Sequence, residues 1–102
     1  MSPILEACRK NDLLAVEDLL ENEGDPNDKD IFGNSCLIFA ASYGSYELFK
    51  LLFDHGADIH HVDASGKNVY YWAWVNGKGD MLHLLKQYGA KLVVPSVTVQ
   101  QE

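Results

Sequence analysis

The feature that most restricts this chain is that it repeats itself every 33 residues. Gly33-Asn34-Ser35-Cys36-Leu37-Ile38-Phe39-Ala40-Ala41 has the pattern of Gly66-Lys67-Asn68-Val69-Tyr70-Tyr71-Trp72-Ala73-Trp74, and His55-Gly56-Ala57 recurs as Tyr88-Gly89-Ala90. Leu51-Leu52 returns as Leu84-Leu85, while one step back places Ala7 under Ala40, Leu19 under Leu52 and Asp25 under Asp58. A period of this size marks stacked supersecondary units, none of which buries its apolar face alone, and three copies lie near the lower limit of stability.

Each copy carries the signals of a helix pair. In the middle copy Ser35 is placed to cap a short helix through Ser42, because its hydroxyl can accept an amide of the first turn. Gly44 breaks that helix and Ser45 caps the next, in which Tyr46, Leu48, Phe49, Leu51, Leu52 and Phe53 form a broad apolar stripe at helical spacing. Gly56 suits the left-handed residue that ends a helix, and the stretch from there to Gly66 reads as a turn-rich connector.

These residues resemble the ankyrin repeat, whose pattern runs Gly-x-Thr-Pro-Leu-His-x-Ala-Ala, then Gly, a Leu-rich helix and Gly-Ala-Asp. Gly33, Ser35, Leu37, Ala40, Ala41, Gly44, Leu51, Leu52, Gly56, Ala57 and Asp58 follow it. The first copy keeps Ser2-Pro3-Ile4 and Ala7, but starts without a preceding hairpin and has Asp18 where a buried Leu is expected. The last keeps Gly66, Ala73, Gly77, Leu84, Leu85, Gly89 and Ala90, with Trp74 in place of a small Ala and Lys86 in place of an apolar residue. End copies have a neighbour on one side only, which accounts for such departures. The resemblance implies an all-α solenoid of stacked helix pairs joined by hairpin-like turns. It divides the chain into a stack over residues 1–91, with copies at about 1–29, 30–62 and 63–91, and an extension over 92–102. The β-branched extension is expected either to cap the last helices or to add to a partner's sheet edge.

Composition narrows the function. A net charge of −7 argues against nucleic acid, which requires clustered Lys and Arg. No stretch reaches the roughly eighteen consecutive apolar residues of a membrane span. The first ten residues lack the basic-then-apolar order of a secretory signal, so the expected setting is the cytoplasm. Cys8 and Cys36, each in an apolar helical context, are expected to be packing residues of a reduced compartment. The acidity is uneven: residues 1–30 hold Glu6, Asp12, Glu17, Asp18, Glu21, Glu23, Asp25, Asp28 and Asp30 against Arg9, Lys10 and Lys29, nine negative and three positive charges, or −6. That surplus is either a solvated face or a field that steers a basic partner.

No set of residues points to chemistry. His55, His60, His61 and His83 come without a Cys-x-x-Cys pair or a His-Glu-x-x-His helix, so no metal or other cofactor is expected. Asp25-Pro26-Asn27-Asp28-Lys29-Asp30 fails as a calcium loop because Lys29 interrupts the oxygen donors and Cys36 stands at the twelfth position. Asn76-Gly77-Lys78-Gly79-Asp80 lacks the spacing of a phosphate loop and reads as an interhelical turn. An enzyme is therefore not expected.

The resemblance also implies where a protein partner is met, on the hairpin tips and the exposed side of the first helix of each pair. On this sequence the tips are Lys29 to Asn34 and Val62 to Lys67, with Ile31, Phe32, Asn34, Ala64, Ser65 and Lys67 as candidate contacts. The helix positions are Arg9, Lys10, Ser42, Tyr43, Val75 and Asn76. Ile31 and Phe32 stand out, since a turn needs neither for its backbone geometry; with Tyr43 they make an aromatic centre suited to an interface, unless Phe32 folds over its own repeat. Tyr70, Tyr71, Trp72 and Trp74 read as the C-terminal end of the core. The expected function is thus a protein-binding module that blocks or scaffolds a partner. Two narrower readings are a bacterial immunity or antitoxin-like protein neutralising a basic toxin, and a homodimer burying Ile31 and Phe32.

Overall fold

The 33-residue register appears in the backbone as a recurring set of helix caps. The computed structural model describes residues 2–92 and contains, among them, six helices: α1 (Pro3–Arg9), α2 (Leu13–Glu21), α3 (Cys36–Tyr43), α4 (Tyr46–Asp54), α5 (Val69–Val75) and α6 (Gly79–Gln87). The first helix of each pair is capped by Ser2, Ser35 or Asn68, whose side-chain oxygens accept from the amides of Leu5, Ile38 and Tyr71. The second helix is capped by Asp12 in copy one and Ser45 in copy two. Lys78 holds that position in copy three and makes no side-chain cap. Positive φ recurs between the paired helices, at Asn11, Gly44 and Gly77, so that the chain reverses at one place in every copy.

The copies are held together by α3, which packs on α4 within its own pair and on α1 and α5 to either side. Ala40 and Ala41 are fully buried where these helices meet. Small side chains let three helices approach closely without voids. Leu48, Phe49 and Leu52 of α4 supply the second buried row, continued by Met81 and Leu85 of α6. Phe49 and Phe53 meet the Tyr88 ring of the next copy at 5.5 and 4.6 Å between centroids, an aromatic seam across the repeat boundary. Cys8 and Cys36 are buried free thiols. A hydrogen bond with the Cys8 thiol, and burial after it, hold the Cys36 thiol far above its usual range. Both sulfurs are fully buried and out of reach of a reagent in the folded protein.

Three expectations need adjustment. Trp74 is 53% exposed and stands outside the core, since nothing among the described residues covers the last copy; Tyr70, Tyr71 and Trp72 are half-buried. The turn between the third pair of helices is shorter than expected, because Gly79 and Asp80 already belong to α6. The proposed extension lies outside the described residues except for Leu92, which is exposed.

Candidate protein-binding surface

Each connector is shaped by one aspartate. Asp30 Oδ1 accepts from the amides of Phe32 and Asn34 at 2.9 Å each, and the Asp30 amide donates to the Asn34 carbonyl. Asp63 repeats this arrangement 33 residues later, accepting from the amides of Ser65 at 2.9 Å and Lys67 at 3.0 Å. Carboxylates that bond the backbone two and four residues on fold a turn locally, so its geometry does not depend on packing by the intervening side chains. Those side chains are Ile31 and Phe32 in the first tip and Ala64 and Ser65 in the second. Ile31 is 91% exposed and Phe32 65% exposed, so Phe32 does not fold over its own repeat. Ala64 and Ser65 are exposed as well.

The tips do not stand alone. The Ala64 amide donates to the Phe32 carbonyl at 2.9 Å, and His61 Nε2 donates to the Gly33 carbonyl at 2.7 Å, linking the second hairpin to the first. Lys67, half-buried, holds its ammonium 5.1 Å from the Tyr71 ring centre and 5.5 Å from that of Trp72. Its charge is engaged by two aromatic faces.

Behind the tips lies a concavity of about 280 Å³ lined by Asn34, Ile38, Phe39, Ser42, Tyr43, Trp72 and Asn76. It gathers four of the candidate contacts, Asn34, Ser42, Tyr43 and Asn76, from a hairpin and two helices. Val75 is exposed beyond it on α5. Tyr43 is 41% exposed, stacks on Phe39 at 6.3 Å and donates its hydroxyl to the Arg9 carbonyl at 2.6 Å. It therefore also stitches α3 to the end of α1. Arg9 and Lys10, the helix candidates of copy one, both reach the Glu6 carboxylate, at 2.6 and 3.6 Å. The hydrogen bond from Arg9, aided by both cations, holds Glu6 below its ordinary pKa.

Sequence reasoning misses Phe39 and Trp72 as parts of this concavity. A signal exists: stepping by 33 aligns Glu6, Phe39 and Trp72 beside the series Arg9, Ser42, Val75 and Lys10, Tyr43, Asn76. Asp30 and Asp63 escape it as well, since in sequence they are connector residues and nothing marks them as the groups that shape the turn. Among the described residues no three His, Cys, Asp or Glu side chains converge on a possible metal position, and no helix is long and apolar enough to cross a membrane.

Residues 4–96 match the family model for ankyrin repeats, in three copies. The chain belongs to the ankyrin-repeat family. Its relatives include the E3 ubiquitin-protein ligase hecd-1 of Caenorhabditis elegans, 33% identical over 85% of this chain and 3% of that protein. The 2-5A-dependent ribonuclease of Mus musculus is 32% identical over 72% of this chain and 10% of its own length. A putative ankyrin repeat protein of fowlpox virus, FPV244, is 30% identical over 72% of this chain and 11% of its length. The chain thus spans only a small part of each. Ankyrin repeats generally serve as modules for protein–protein interaction and not as catalysts, and the capped helix pairs and bonded hairpins described above are that scaffold.

Proposed function

We propose that this ankyrin stack binds a partner protein across its hairpin tips and the concavity behind them, blocking or scaffolding that partner without chemistry of its own. The observation that carries the reading is the exposure of Ile31 and Phe32 on a turn whose geometry Asp30 already supplies. Apolar side chains placed outward on a rigid loop, with Tyr43 and Phe39 nearby, suit the aromatic anchors that dominate binding energy. A cytoplasmic setting belongs to the reading, in keeping with two buried thiols that form no disulfide.

A narrower version is favoured by charge. Residues 1–30 carry −6, so a basic partner would be steered toward the first tip, as for an immunity or antitoxin-like protein that covers a basic toxin. Affinity capture from native lysate, followed by mass spectrometry, tests both. A stoichiometric foreign protein retained by the wild type and lost by Phe32→Ala supports the interface. Self-association alone would favour the homodimer, and a partner held equally well by Phe32→Ala would remove the tips from the site.

A further inference from the structure

Inside the stack, the second hairpin meets the first at two points, the Ala64 amide on the Phe32 carbonyl and His61 Nε2 on the Gly33 carbonyl. One copy earlier, 33 residues back, the positions of Ala64 and His61 are held by Ile31 and Asp28. Among the described residues the Ile31 amide meets no acceptor. Among those residues the Asp28 carboxylate bonds only the adjacent Lys29 amide, through Oδ1 at 2.9 Å. Both residues border a groove of about 540 Å³ that runs between the start of α1 and the first tip, with Leu5, Ile31 and Phe32 as its apolar lining.

The interior contact prescribes what fits this groove. A free amide at Ile31 calls for a carbonyl, as the Ala64 amide does. His61 is a donor to the preceding hairpin, whereas Asp28 can only accept, so the group facing it must be a donor. Lys and Arg are the strongest donors to a carboxylate. Asp28 is the more open acceptor of the two, since Asp30 already holds two backbone amides on Oδ1 and the Asn34 side chain on Oδ2 at 3.3 Å. Lys29 also borders the groove, but the surrounding third of the chain is six charges negative, which sets the sign of the field.

We propose that this groove takes an extended, cationic segment of a partner protein, placed as a preceding hairpin would be. The segment gives a carbonyl to the Ile31 amide and a Lys or Arg to Asp28, and lays an apolar side chain on Leu5, Ile31 and Phe32. The inference rests on the tip-binding reading above and adds to it the chemistry of the partner.

The probe is a library of short random peptides displayed on phage and selected against the full chain at low salt. The expected outcome is enrichment of peptides with Lys or Arg beside a large apolar residue. Synthesised and followed by fluorescence anisotropy, these should lose about tenfold in affinity to Asp28→Asn, the scale of one charge-assisted hydrogen bond. They should also move the Ile31 amide resonance of the wild type. Circular dichroism confirms that the variant is folded. No enrichment, enrichment without positive charge, or binders indifferent to Asp28→Asn overturns the inference. Binders indifferent to Asp28→Asn but lost with Phe32→Ala leave the tip surface standing, while binders indifferent to both remove it too.

Discussion

The Trp72 indole Nε1 donates to Asp63 Oδ2 at 2.9 Å, so the residue that shapes the second hairpin is also tied to the helix that follows it. Asp63 further accepts from the Ser65 hydroxyl at 2.7 Å and from two backbone amides, and it is buried. In the preceding copy Phe39 occupies the place of Trp72, and Asp30 receives no bond from a helix. Asp63→Ala is therefore expected to cost about 2 to 3 kcal/mol, and Asp30→Ala about 1 kcal/mol less. Urea unfolding of the two variants checks the order; equal losses would show that the indole bond adds nothing.

The same carboxylate gives a pH signature. Burial acts to raise the Asp63 pKa, but hydrogen bonds from the Lys67 amide, the Ser65 hydroxyl and amide and the Trp72 indole outweigh it and hold the group below its ordinary value. A carboxylate with a depressed folded pKa stabilises the fold above its unfolded pKa, and that contribution disappears as pH falls through the folded value. The melting-temperature gap between wild type and Asp63→Asn should stay constant near neutrality and shrink below about pH 4. A gap that persists into strong acid would contradict the assignment.

Side chains around the tips should separate into two kinds. Phe32→Ala is expected to lower stability by under about 1 kcal/mol, since the ring is mostly in solvent, yet to weaken partner binding by about 2 kcal/mol. Tyr43→Phe should cost about 1 kcal/mol of stability, because it removes the hydroxyl bond to Arg9 and keeps the stack on Phe39. Tyr71→Ala should mainly destabilise, because the ring packs edge-on against both Trp72 and Trp74. Thermal melts paired with titration of the captured partner distinguish these patterns; a large melting loss for Phe32→Ala would return that ring to the core.

Gly33 and Gly56 both have positive φ, 81° and 93°, but only one is crowded. A Cβ at Gly33 would lie 2.7 Å from the Ala64 amide nitrogen, whereas one at Gly56 meets nothing within 4 Å. Gly56→Ala should cost about 1 to 2 kcal/mol for backbone strain alone. Gly33→Ala should cost more and break the contact between hairpins, visible as faster exchange of the Ala64 amide. Similar losses for both would mean that the hairpins yield freely.

Ala40 is fully buried where α3 meets its neighbours. Ala40→Asp places an unpaired carboxylate there and should remove several kcal/mol, about the whole margin of a stack this short. Retention of a cooperative melt within a few degrees of wild type would refute the packing described for α3.

What can be read from the sequence is what the chain settles over short distances. Ser35 and Ser45 act on amides three residues away, and Gly44 on a turn of its own, so the 33-residue pattern displays them directly. The exposure of Ile31 and Phe32 follows from turn chemistry in the same way. The bond from Tyr43 to Arg9 spans 34 residues and that from the Asp58 amide to Asn27 spans 31; both exist only once copies are stacked. The size of Trp74 points to the core, whereas its exposure depends on what lies beyond the last helix. Asp63 looks like any acidic connector residue, because its indole partner is brought to it by the fold.

The bonds from Ala64 to Phe32 and from His61 to Gly33 make the two hairpins a single mechanical unit. A ligand that immobilises the first tip thereby removes part of the entropy that the second would otherwise lose on engagement. An elongated partner touching both would bind cooperatively along the row without any change of shape in the scaffold.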